Sequence, residues 1–318
     1  MANQITQIEA REALVDYVSE NSCWGSKPAL QMEIDLIVTT PVYRYELDSF
    51  IEKRQTFLQS KPYEGGQVDG PRSEPAVQAW DIGATPNEIF KNQEQNFIVP
   101  RTSSVTTCSE CRGNKGFICT GCRGKGSRRC WNCNGYGLQH WIGRRRVHTD
   151  ICNVCELSTF GIGRLPCQEC NGTGSLRCGP CSGYGQILSY TKLNVEWKTK
   201  SSEKMVGIST SLPEDMIRQA PGQVVVKEEG PRLTPLNTFS DSAVRSVSTQ
   251  LITDHVTLIG LHPDEKLIAQ RQQVRLIPVT EVHYTWKGKK GKFYICGTGR
   301  DRKVHAPDYP RKRCGGCC

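Results

Sequence analysis

Six C-x-x-C pairs lie between Cys108 and Cys181: Cys108/Cys111, Cys119/Cys122, Cys130/Cys133, Cys152/Cys155, Cys167/Cys170 and Cys178/Cys181. They use twelve of the 17 cysteines in a chain of 318 residues. A C-x-x-C turn points two sulfurs at one position, and two such turns facing each other form a tetrahedral tetrathiolate suited to Zn²⁺. Six pairs therefore predict two to three bound zinc ions, three if every pair finds a partner. Four pairs continue into x-Gly-x-Gly, ending at Gly126, Gly137, Gly174 and Gly185. Glycine suits a chain turning tightly behind each pair, since it reaches positive φ and brings backbone N–H groups close to the thiolates. Two pairs depart from the pattern. CSECRGNKG, from Cys108, reads one residue too long, and CNVCELSTFGIG, from Cys152, lacks the close glycines. Looser sites, or one empty site, are expected there.

The same spacing has other uses. A secreted chain would use it for disulfides, but the start, MANQITQIEAREALVDY, shows no apolar leader and no run approaches eighteen apolar residues. A cytoplasmic protein, with a nuclear location as an alternative, is expected, and metal over disulfide. A thiol–disulfide oxidoreductase is a second reading, yet no pair sits in a thioredoxin-like strand-to-helix context. No Ser/His/Asp set, Walker loop or paired acid site appears, so a non-enzymatic protein is expected.

The four C-x-x-C-x-G-x-G repeats resemble the cysteine-rich segment of DnaJ-type (Hsp40) co-chaperones, which implies an extended β-hairpin finger. In that family the first motif pairs with the fourth and the second with the third. Extended to six, the resemblance implies Cys108/Cys111 with Cys178/Cys181, Cys119/Cys122 with Cys167/Cys170, and Cys130/Cys133 with Cys152/Cys155. Arm lengths agree: twenty-two residues separate Cys108 from Cys130, and twenty-six separate Cys152 from Cys178. The resemblance stops there. His262-Pro263-Asp264 matches a J-domain tripeptide, but the following EKLIAQRQQVRLIPVTEVHYTW turns to strand alternation, and a turn before a helix start explains it better. The whole chain, with VYRYELDSFIEKR at 42–54 ahead of the knuckles and a Lys/Gly hairpin behind them, resembles the Ssu-2 homologue family. Together the resemblances imply a chaperone-like, zinc-binding protein that binds unfolded chains or a heat-shock-protein partner.

A formal charge of +9 invites a nucleic-acid or transcription-cofactor reading through Arg128, Arg129 and Arg144 to Arg146. Twelve thiolates and three Zn²⁺ would bring it to about +3, a weak excess for phosphate binding. The segment between Cys133 and Cys152 combines Trp141 and Ile142 with Arg144, Arg145 and Arg146. Aromatic and cationic side chains of this kind grip partners, while the plainer reading has Trp141 covering the innermost zinc. His140 and His148 are substitute ligands only if a cysteine fails. Cys23 and Cys296 read as buried apolar residues. The tail RKRCGGCC puts basic residues beside Cys314, Cys317 and Cys318, a pattern for lipidation and peripheral membrane contact. Unmodified thiols or an extra ligand set are the alternatives.

These residues need elements to position them, and the fold class expected is α+β, a β-rich body with an inserted zinc-knuckle hairpin. The parts are 1–107, the finger 108–185, 186–310 and a tail 311–318. Thr6 and Glu9 form a capping-box pattern ahead of Ala10, Ala13, Leu14, Tyr17 and Val18 at helical spacing. Residues 32–40 and 42–55 read as strands broken at Pro41, with another over 76–82 and an irregular stretch over 86–107. Beyond Gly185 come a long strand, a short helix at Glu214 and a strand at Gln223. Asp241 caps a helix bearing Val244, Val247, Leu251, His255 and Leu258, and a hairpin turns over Lys287 to Lys292. A hairpin finger returns its chain, so Thr107 and Gln186 are expected side by side. Its apolar residues are too few to offset ordering entropy, so metal must supply much of its stability.

Overall fold

The computed structural model describes residues 5–20, 24–71, 77–143, 146–208, 212–299 and 301–310. In chain order it contains α1 (Gln7–Ser19), α2 (Lys27–Gln31), β1 (Glu33–Pro62), a 3₁₀ turn at Ala79–Asp81, β2 (Gln93–Ile98) and β3 (Ser104–Thr107). Six short strands follow: β4 (Gly116–Ile118), β5 (Ser127–Arg129), β6 (Leu138–Gly143), β7 (Arg146–Ile151), β8 (Arg164–Pro166) and β9 (Ser175–Arg177). The chain continues through β10 (Gln186–Val206), α3 (Glu214–Gln219), β11 (Gln223–Gly230), α4 (Ser242–Gly260), β12 (Glu265–Trp286), β13 (Lys289–Cys296) and β14 (Lys303–His305). The fold is β-rich with few helices. One sheet has the order β14-β13-β12-β1-β10-β2, with β11 also on β12 and β3 also on β10.

Two compact units result. The first comprises Met1–Arg54, Thr85–Glu94 and Val195–Cys318, and the second Gln55–Ala84 and Gln95–Asn194. The first holds the apolar core. Thr6 caps α1 as the sequence predicts: its hydroxyl accepts the Glu9 N–H at 3.3 Å while the Glu9 carboxylate accepts the Thr6 N–H at 2.8 Å. Ala10, Ala13, Leu14 and Val18 then pack on Val282, Tyr284, Phe293 and Ile295 of the sheet. Tyr294 and Cys296, alternating with these, meet Ile217 of α3 instead.

β1 differs from the sequence expectation by running unbroken through Pro41, which faces Pro278 of β12. Proline is excluded from a central strand because it lacks the donor the ladder needs. Here each proline falls where an outer neighbour stops. Pro278 lies between the part of β12 paired with β11, which ends at Leu276, and the part paired with β13, which begins at Val279. Pro41 lies beside Gly207, one residue beyond the end of β10; a Cβ there would stand 3.0 Å from the Pro41 carbonyl oxygen.

Asp241 caps α4 by accepting the Ala243 and Val244 N–H groups at 2.8 and 3.1 Å. The buried stripe is Val244, Ser248, Ile252, His255 and Ile259, rotated from the one read in the sequence; Leu258 is exposed. Ser248 escapes an apolar pattern because it is buried as an acceptor for the Leu236 N–H. The hairpin turns at Lys287-Gly288, both at positive φ, as its two-residue loop requires. Three further expectations are corrected. Residues 79–81 form a 3₁₀ turn where a strand was expected, the stretch before the knuckles contains β2 and β3, and after His262-Pro263-Asp264 the strand alternation read there holds as β12 while the helix start does not.

Candidate metal centre

In the second unit, Thr107 and Gln186 are ladder partners, which starts the two halves of the cysteine-rich segment side by side. Three short antiparallel pairs follow: β4 with β9, β5 with β8, and β6 with β7. The knuckles lie between these pairs. Because the ladders are nested, the first knuckle meets the sixth, the second the fifth and the third the fourth, the arrangement the resemblance implied.

The twelve cysteines form three buried tetrads: site 1 is Cys108, Cys111, Cys178 and Cys181; site 2 is Cys119, Cys122, Cys167 and Cys170; site 3 is Cys130, Cys133, Cys152 and Cys155. Within each, the four sulfurs lie within 4.8 Å of one another. Facing sulfurs are 3.8 and 3.6 Å apart at site 1, 3.8 and 3.7 Å at site 2, and 3.8 Å in both pairs at site 3. A disulfide needs about 2.05 Å. Four sulfurs about 2.3 Å from a central cation would instead be about 3.8 Å apart, so the thiols fit a tetrahedral metal ion.

The same backbone device recurs at every site. The first cysteine of each knuckle donates its N–H to the carbonyl that closes the facing knuckle: Cys108 to Gly185, Cys178 to Lys115, Cys119 to Gly174, Cys167 to Gly126, Cys130 to Gly163 and Cys152 to Gly137, all between 2.8 and 3.2 Å. Two corrections follow. The first knuckle is not one residue too long: Lys115, at φ 65, occupies the slot that glycine fills elsewhere. The fourth recovers its missing glycine farther on, since Gly163 closes it and donates to Cys155 Sγ at 3.1 Å. Glycine is obligatory at Gly126 and Gly174, where an added Cβ would overlap the carbonyl oxygens of Gly172 and Gly124.

One thiol in each tetrad ionises readily. Burial opposes it, but the Gln139 and Asn132 side chains and the Val154 and Cys155 N–H groups bring Cys152 down to about 5. Against the same burial, backbone and thiol donors bring Cys167 to about 7 and Cys181 to about 6. Burial and the neighbouring sulfurs then push Cys155 up to about 12.

The other candidates separate from these sites. His140 Nδ1 pairs with Thr149 Oγ1 at 3.0 Å and reaches no tetrad, and His148 is exposed. Trp141 and Arg146 lie on β6 and β7, at register positions facing His148 and Gly143. Arg144, Arg145, Cys23, Cys314, Cys317 and Cys318 lie outside the described residues. Cys296 is buried as expected, and burial pushes its thiol up to about 11. Sequence reasoning missed Lys115, Phe160 and Glu169, which pack around the knuckles; counting four residues on from Cys111 would have singled out the first. Among the described residues no helix is long and apolar enough to cross a membrane.

No family model matches the chain. It is 36% identical over 312 residues to the zebrafish (Danio rerio) protein SSUH2 homolog, covering 98% of this chain and 81% of that one. The human (Homo sapiens) protein SSUH2 homolog is 34% identical over 313 residues, with 98% and 80% covered. A likeness of this extent spans both flanks as well as the knuckles, and the chain belongs to the SSUH2 homolog family.

Proposed function

We propose that this chain is a non-enzymatic zinc protein whose cysteine-rich segment binds polypeptides, either nonnative chains or a chaperone partner. One observation carries the reading: facing sulfurs stand 3.6 to 3.8 Å apart in all three tetrads, the edge length of a zinc tetrathiolate. Bound zinc has no redox chemistry and supplies fixed crosslinks. The chain's own part is to hold four sulfurs at each site through paired N–H to carbonyl bonds and to bury them.

The protein-binding half rests on what the knuckles leave outside. Trp131 is 73% exposed, Tyr136 84% and Leu157 95%, and Phe117, Ile118 and Ile162 are exposed as well. Apolar side chains so displayed around buried crosslinks are the chemistry of a surface that takes up other chains. The likeness to the DnaJ-type segment supports the same reading. Metal analysis should give three zinc ions per chain, and the chain should suppress aggregation of a reduced, unfolded client. A Trp131→Ser/Tyr136→Ser variant should keep its zinc and lose that suppression. Iron or covalent disulfides in place of zinc, or a variant as effective as the parent, would sink the reading.

A further inference from the structure

The tetrads share ligand type and burial, but their surroundings differ. At Cys122, Cys133 and Cys170 the glycine four residues on donates its N–H to sulfur at 3.2 Å, and Gly163 does the same for Cys155 at 3.1 Å. Such bonds hold a thiolate's charge and orientation. Behind Cys111 that slot belongs to Lys115, at φ 65, where an L side chain is strained. Among the described residues no N–H donates to Cys111 Sγ.

Site 2 is braced from both sides. Arg128, on the strand joining sites 2 and 3, pairs with Glu169 of the fifth knuckle, and a Cβ on Gly121 of the second would run into both. Phe160 lies against Gly126 and Gly172; Cβ atoms there would meet its ring at 3.3 and 3.0 Å. That ring belongs to the long loop between Cys155 and Gly163, so the spacer that departs from the repeat ties site 3 to site 2. Ile162, from the same loop, covers Gly137 of the third knuckle. Site 1 is packed by Ile187, by the Thr107 methyl beside Gly113 and by Arg177, which lies against Gly183 and donates to the Ser182 carbonyl within the same knuckle, but no side chain from the long loop reaches it among the described residues.

We propose that the metal sites fall into two classes: sites 2 and 3 hold their ions as one unit, whereas site 1 exchanges its ion, with Lys115 setting that lability. The inference rests on the zinc reading above. Site 1 is also where the knuckles join the longer strands, because Cys108, next to the Thr107–Gln186 pair, donates to Gly185. Exchange there acts on the pairing of β3 with β10.

The test takes the zinc-loaded full chain, adds excess chromophoric chelator, and follows release while native mass spectrometry counts the ions that remain. One ion should leave at least about tenfold faster than the other two, the scale on which outer-shell groups act. Iodoacetamide pulses during that first phase should label Cys108, Cys111, Cys178 and Cys181 before the other eight. Lys115→Gly should move the fast ion into the slow phase, and Phe160→Ala should speed the slow pair alone. Release of all three ions in one phase, early labelling of another tetrad, or a fast phase unmoved by Lys115→Gly would overturn the proposal. Three zinc ions leaving together would leave the zinc reading standing, whereas a chain that retains no metal would end both.

Discussion

His255 shows how one buried side chain sets a response to pH. Its Nδ1 and Nε2 lie 2.8 Å from Ser49 Oγ and Ser202 Oγ, and Gln270 donates to Ser49 at 2.9 Å. Gln270 Oε1 accepts the Leu233 N–H, which fixes the amide so that its NH2 group is the one facing Ser49. Burial first, then the charge of Lys200, lower the His255 pKa below 6.5, against opposing pulls from Asp254 and Asp48. The unfolded chain therefore binds the proton more readily. Stability from this residue is complete above about pH 6.5 and declines as pH falls below it. Urea melts of the parent should weaken from pH 7 to pH 5, and His255→Gln should flatten that slope.

Gly174 makes a steric claim of the same size. At φ 77, with the Gly124 carbonyl where a Cβ would go, it admits no side chain. The φ alone costs an L-residue roughly 1–2 kcal/mol, and the overlap adds to that. Gly174→Ala should empty site 2 and lower the number of bound metal ions by one, read by native mass spectrometry. Gly124 and Gly174 were both legible in the repeat, since a tight turn needs them. Lys115 was missed because the repeat was read with glycine in its last slot, although the count of four residues from Cys111 falls on it.

Among the elements, local chemistry was readable and distant pairing was not. The capping box of α1 and the Asp241 cap of α4 depend on residues two or three apart, and each stands where the sequence put it, while the hairpin expected to turn over Lys287 to Lys292 does so in the first two of those residues. β2 and β3 depend on a partner, β10, that lies far along the chain, so residues 93–107 look irregular until that strand is beside them. Pro41 reads as a break for the same reason, because what excuses it is the ending of β10 and the change of neighbour on β12. The three-residue ladders between the sites cannot hold themselves together, and strands this short are stable only when anchored. A strong zinc chelator should raise amide exchange across residues 108–185 while β12, β13 and α1 keep their protection. Equal protection in the chelated segment would show that the ladders need no metal.

At the scale of the molecule, the segments near both ends of the described chain close the first unit. Trp24 stacks on Tyr309 at 5.6 Å, Tyr309 donates its hydroxyl to the Gly25 carbonyl at 2.7 Å, and the Ala29 N–H donates back to it at 3.2 Å. Tyr309 is buried, so Tyr309→Ala should cost about 3–5 kcal/mol, the range for deleting a core aromatic, and should lower the thermal midpoint without changing zinc content. The nested knuckles carry a different consequence. Facing sulfurs are separated by 22 residues at site 3, 48 at site 2 and 70 at site 1. Bringing together ends 70 apart rather than 22 costs about 1 kcal/mol more in loop entropy, and each inner closure shortens the loop left for the next. Loop entropy therefore favours closing this segment from its innermost turn outward, and on the ribosome the first closure should be within reach once Cys155 has emerged, before the last third of the chain has been made.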